Sequence, residues 1–107
     1  MAGKTKKSQD RYLDAVEKAL GEFKAQYPEA VPESYRQNSA SIRIRIISPA
    51  FFRKSKSYRH ELVQGFLKNR LSEDEFQEIS MLLLLAPGEE SDSLLNLEFN
   101  DPQESRL

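Results

Sequence analysis

The stretch Ser41–Ser48, SIRIRIIS, constrains the fold more than any other part of the chain. Ile42, Ile44 and Ile46 alternate with Arg43 and Arg45, the two-residue period of a strand with one apolar face and one cationic outer face. A lone strand leaves its backbone donors and acceptors unpaired. The segment therefore needs neighbouring strands, and something must cover its isoleucines.

The flanking sequence offers both. Upstream, Leu13, Val16, Leu20, Phe23 and Tyr27 recur at steps of three and four, which predicts an amphipathic helix over 9–26. Ser8 or Asp10 can cap its start, and Pro28 follows its end. The next stretch, PEAVPESYRQNSAS, reads as a loop or an irregular edge strand because Pro28 and Pro32 cannot donate to a ladder. Downstream, Pro49 breaks the strand, and Leu62, Val63, Phe66 and Leu67 form the apolar stripe of a helix over 56–70. Ser72 and Glu75 have the spacing of a capping box, which opens a short helix ending by Glu78. ISMLLLLA, bounded by Pro87 and Gly88, has the length of a buried strand. The predicted order is α-β-β-α-α-β, an α+β fold occupying 9–88. A flexible lysine-rich lead, 1–8, precedes it and an acidic, flexible tail, 89–107, follows.

A chain of 107 residues supports one modest core. It contains no cysteine, which excludes disulfides, thiol catalysis, cysteine-ligated zinc and clusters held by its own thiolates. No cofactor is expected. No segment has the apolar length of a signal peptide or membrane span, so a cytoplasmic location without membrane contact is expected.

The net charge of −1 conceals a separation along the chain. Residues 36–71 carry nine basic side chains and one acidic, whereas 72–107 carry ten acidic and one basic. Two readings follow: the middle segment meets a polyanionic or acidic partner, or the acidic tail neutralises it within the same molecule.

Within that segment His60, the one histidine, lies at the margin of the apolar stripe and reads as a partly buried structural residue. Arg59 lies near the middle of the stripe, so it must cap a helix end, snorkel or pair with a carboxylate. Arg43, Arg45, Arg53, Lys54 and Lys56 form a candidate nucleic-acid-binding face, with Phe51, Phe52 and Tyr58 interleaved as base stacking would need. AGKT near the start echoes a phosphate-binding loop but lacks its upstream glycine and strand. No catalytic constellation is apparent, and no enzymatic activity is expected. LLNLEF, 94–99, is more apolar than a solvating tail and offers a surface for docking on the body or for homodimer formation.

SPAFFRKSKSYRHELV, Ser48 to Val63, resembles the strand-to-helix segment of the BolA-like family. Ser48, Phe51, Lys54, Ser55, Arg59, His60 and Val63 match without a gap. PESY at 32–35 and EISMLLLLAPGE around the last strand are similar to further family segments. The resemblance implies a sandwich related to the class II KH fold, with a three-stranded mixed sheet packed against helices. It implies a protein partner such as a monothiol glutaredoxin, met through Arg53, Lys54, Lys56, Arg59 and His60, or a role in transcription. The family shares an iron–sulfur cluster through a histidine opening the last strand and a second ligand upstream. Those places hold Gln77, Tyr35 and a cysteine-free loop, so a cluster-ligand role does not carry over. Arg53 stands where the family has glycine. No G-x-x-G phosphate clamp occurs.

Overall fold

The computed structural model describes residues 10–101. Helix α1 spans Arg11–Gln26, and Asp10 caps it by accepting the Leu13 N–H at 3.1 Å. Its periodic face is buried as Val16, Ala19, Leu20 and Phe23. The expected lead, 1–8, lies outside the described residues.

Strand β1, Val31–Asn38, pairs antiparallel with β2, Ser41–Ile47. The stretch with two prolines is therefore a full strand over most of its length. Pro32 is tolerated because β1 is at the edge of the sheet, where one side of the backbone has no ladder partner among the described residues. Asn38 shapes the turn by accepting the Ala40 N–H on its side-chain oxygen at 2.9 Å.

Ser48 and Pro49 open a short 3₁₀ turn, Pro49–Phe51, which drops Phe51 into the core. Helix α2 covers Lys56–Lys68 and is capped by Ser55. Helix α3, Glu73–Gln77, begins with the capping box read from the sequence: Ser72 Oγ accepts the Glu75 N–H at 3.1 Å, and Glu75 accepts the Ser72 N–H at 2.8 Å. Strand β3, Ile79–Leu85, then pairs parallel with β2. The sheet is three-stranded and mixed, in the order β1-β2-β3, so the α+β class and the α-β-β-α-α-β order are as expected.

Past Glu89 the stretch of tail composition contains a second 3₁₀ turn, Glu90–Asp92, and a helix α4, Leu94–Asn100. Residues 102–107 lie outside the described residues.

Alternation along β2 divides the interior. Ile42, Ile44 and Ile46 face α1 and α2 and join Phe23, Phe51, Val63 and Leu67 in one fully enclosed cluster. On the opposite face Leu83 and Leu85 meet Phe99 of α4, with Tyr35, Ile47 and Met81 packed beside them.

Candidate functional site at the open edge of the sheet

Because β2 is central, β3 has one side without a strand among the described residues. The Ser48 N–H donates to Leu85 O at 2.9 Å, so Leu85 and its alternates bond towards β2. Strand periodicity then turns the backbone groups of Leu82 and Leu84 outward. Both of those carbonyls are occupied. Arg59 Nη1 donates to Leu84 O at 3.0 Å, and His60 Nε2 lies 3.0 Å from Leu82 O. The Arg-His pair at the start of α2 thus closes the acceptor half of the edge, a device that discourages strand addition.

Arg59 is only 7% exposed and its charge is matched. Its guanidinium donates twice to Glu89, at 2.8 and 3.0 Å, and its Nε donates to Lys54 O at 3.0 Å. Glu89 also accepts the Ala86 N–H at 3.0 Å. The Arg59 guanidinium, helped by that amide, holds the Glu89 carboxyl down at about 2. This bidentate pair fulfils the sequence expectation that Arg59 pairs with a carboxylate. His60 Nδ1 lies 3.0 Å from Lys56 O, so both ring nitrogens are turned to backbone carbonyls. Arg59 and His60 are positioning groups that hold α2 against β3.

Arg53, Lys54 and Lys56 are different: all three are exposed, and none forms an ion pair among the described residues. The Lys54 ammonium lies 4.8 Å from the Tyr58 ring centroid. Arg53 has φ 63°, the left-handed region that favours glycine. For a side chain with a Cβ this conformation costs about 1–2 kcal/mol. Arg53 thus occupies a glycine-like backbone state and still projects a cation. Beside this corner runs a groove of about 590 Å³, lined by Lys54, Lys56 and His60, by Leu82–Leu85 of β3 and by Asp92, Leu94 and Leu95.

The remaining arginines of the basic segment are engaged internally. Arg36 bonds Asp10 through Nε at 2.8 Å and Nη2 at 3.0 Å, and it reaches Glu78 at 3.0 Å, tying β1 to the ends of α1 and α3. Arg70 bonds Glu22 at 2.7 Å. The cationic outer face expected for β2 requires correction, because α4 lies over it. Arg45 is 8% exposed and bonds Asn96 at 2.6 Å, Asn100 at 2.8 Å and Glu33 at 2.8 Å. Arg43 bonds Glu98 at 3.1 Å. The five basic residues grouped from the sequence are therefore not one surface: Arg43 and Arg45 lie beneath α4, and neither lines the groove that Lys54 and Lys56 border. Phe51 is core, while Phe52 and Tyr58 are exposed.

Gln77 is exposed at the end of α3. Among the described residues no group of three or more histidine, cysteine, aspartate or glutamate side chains is placed to hold a metal ion, and no helix is long and apolar enough to cross a membrane. Sequence reasoning did not find Glu89, Leu82 or Leu84, because their roles come from backbone groups and a partner thirty residues away in the chain. No family model, curated protein or solved structure matches this chain.

Proposed function

We propose that this chain is a non-enzymatic, BolA-like binding module of the cytoplasm. It recognises an acidic surface on a protein partner through Arg53, Lys54 and Lys56 and the adjoining groove. The resemblance names the monothiol glutaredoxins as the partner class. The observation that carries this reading is Arg53: a cation kept, at an energetic cost, on a left-handed backbone in an exposed corner where Arg53, Lys54 and Lys56 form no salt bridge among the described residues. Unpaired surface cations beside an apolar groove steer and orient an acidic protein surface. In this reading Arg59 and His60 hold the corner in place, and the chain contributes no ligand to a cluster.

The test is an NMR titration with a monothiol glutaredoxin, both free and cluster-loaded. Shifts confined to 53–60, 82–85 and 92–95 are expected, weakening as salt is raised. Unmoved resonances with both forms would remove the proposal.

A second reading, a nucleic-acid-binding module, is favoured by the exposure of Phe52 and Tyr58 beside the same cations. It predicts binding of single-stranded oligonucleotides with a steep salt dependence. Because Arg43 and Arg45 are covered, deletion of residues beyond Glu89 should strengthen that binding. If neither the intact nor the shortened chain binds at low salt, the nucleic-acid reading is lost.

A further inference from the structure

The face of the sheet beneath α4 meets that helix as a set of donors. Tyr35 donates to Phe99 O at 2.8 Å, and Arg43 donates to Glu98 O at 3.3 Å and to Glu98 Oε2 at 3.1 Å. Arg45 Nη1 donates to the side-chain oxygens of Asn96 and Asn100, at 2.6 and 2.8 Å. Between these groups Phe99 packs on Leu83 and Leu85, with Tyr35, Ile47 and Met81 beside it. Its ring centroid lies 4.9 Å from that of Tyr35, edge-on, and 4.6 Å from the Arg45 guanidinium. Glu98 O and Phe99 O belong to the last turn of α4, where carbonyls lack partners within the helix. The face therefore seats the end of a helix, reading an oxygen acceptor, an aromatic ring three residues later and a second acceptor directly after it.

Helix α4 answers this pattern imperfectly. Arg45 is a buried cation, 8% exposed, and α4 offers it neutral amide oxygens, while its carboxylate partner, Glu33, comes from β1. Arg45 Nε has no partner among the described residues. An ionised acceptor binds a guanidinium more strongly than an amide oxygen does. The helix also turns its leucines to solvent: Leu94 is 83% exposed, Leu95 53% and Leu97 65%. Its attachment thus depends on Phe99 and a few directional bonds. Its covalent link to β3 compensates by keeping it at high local concentration over the face. A tethered occupant of less than the best chemistry is one that a free ligand of better chemistry can displace.

We infer that the Tyr35–Arg43–Arg45 face is a concealed recognition surface for the end of an acidic, aromatic-bearing helix of a protein partner, and that α4 is its built-in stand-in. The partner's aromatic ring takes the place of Phe99, and a carboxylate takes the place of the Asn100 amide over Arg45. Its last carbonyls meet Arg43 and Tyr35, and α4 is displaced. A helix is favoured over a nucleic-acid strand because the seat already holds helical carbonyls and encloses an aromatic side chain. Tyr35, Arg43 and Arg45 do not line the groove of the proposed function, and the inference does not rest on that reading.

The test is an NMR titration of the full-length F99A chain, whose own helix lacks its anchor, with an unlabelled peptide copying residues 90–101 and bearing N100D. The peptide should shift Tyr35, Arg43, Arg45, Leu83 and Leu85 and move the chain's own α4 resonances towards random-coil positions. It should bind F99A about tenfold or more tighter than the unaltered chain, where α4 competes. The same peptide with Asn100 retained should bind about threefold to tenfold more weakly. Adding R43Q to F99A should weaken binding by about fivefold, a loss that leaves the buried Arg45 in place. Without any peptide, N100D in the full chain should slow amide exchange along α4 by about threefold or more. R53G, which should weaken the partner binding of the proposed function, should leave peptide binding within about twofold. The inference is overturned if the peptide leaves F99A unmoved up to about 1 mM, or if it shifts only 53–60 with α4 still seated. A single-stranded oligonucleotide that displaces α4 where the peptide does not would also overturn it. So would faster α4 exchange in N100D, because the face would then not prefer a carboxylate.

Discussion

On one face of the sheet Ile42, Ile44 and Ile46 are wholly enclosed beneath α1 and α2. On the other, Arg43 and Arg45 reach up to α4 through hydrogen bonds to Glu98, Asn96 and Asn100, and Phe99 supplies the main apolar contact. The first face derives its strength from removing apolar surface from water, which is non-directional and tolerant of small shifts. The second depends on a few directional contacts, and each loses its worth when geometry changes. Arg45 Nε is buried without a partner among the described residues, an additional cost on that side. The body is thus built on the α1–α2 face, while α4 is a cover of lower local stability, the kind of element that opens first.

The sharpest way to break this comparison is to cut into each face in turn. Ile44→Ala should destabilise the whole domain by about 3 kcal/mol, seen as a lower denaturant midpoint in a single transition. Phe99→Ala should cost about 2 kcal/mol and act locally. Hydrogen exchange should then show protection lost along α4 and retained along α1 and α2. Equal loss along all three would mean that α4 is integral to the core.

Acid should make the same distinction with a smaller effect. The Glu89 carboxyl titrates at about 2 in the folded chain, below its ordinary 4.5. A depressed carboxyl contributes stability that is present above pH 4.5 and is lost as pH falls towards 2. Glu89 is partly exposed, so the contribution is about 1 kcal/mol or less. Glu89 also opens the segment that leads into α4. Far-UV and near-UV spectra between pH 4.5 and 2 should therefore report release of α4 before the main unfolding, and Glu89→Gln should remove that early step. The smallest change lies outside both faces and has the opposite sign. Arg53→Gly should stabilise the chain by about 1 kcal/mol, because glycine adopts the left-handed backbone without strain. A thermal melt that fails to rise would show that φ at this position is not the source of the cost.

How far each part could be read in advance follows the range of the interactions involved. Helix α1, the 72–75 capping box and the alternation of β2 depend on neighbours a few residues apart, and periodicity displays them directly. The pairing of Arg59 with a carboxylate was legible because a cation in an apolar stripe admits few solutions, although its identity as Glu89 was not. β1 was obscured by Pro32, whose tolerance depends on the strand lying at an edge, a property of the whole sheet. Arg43 and Arg45 were correctly placed together on one face. What lies over that face depends on a helix some fifty residues later, and no local pattern announces it. The outward leucines of α4 are the same difficulty seen from the other side: LLNLEF signals an apolar contact without saying which of its residues make it.

The parallel pairing of β2 with β3 has a consequence for how the molecule assembles. The β1–β2 hairpin joins residues that are close in the chain, whereas β3 reaches its place only after the turn at Pro49, α2 and α3 have been traversed. Closing that long loop is the slow, entropically expensive event. A ribosome-bound chain that has emerged only as far as α3 would hold its hairpin and its first helix with a vacant flank, waiting for the leucines of the last strand.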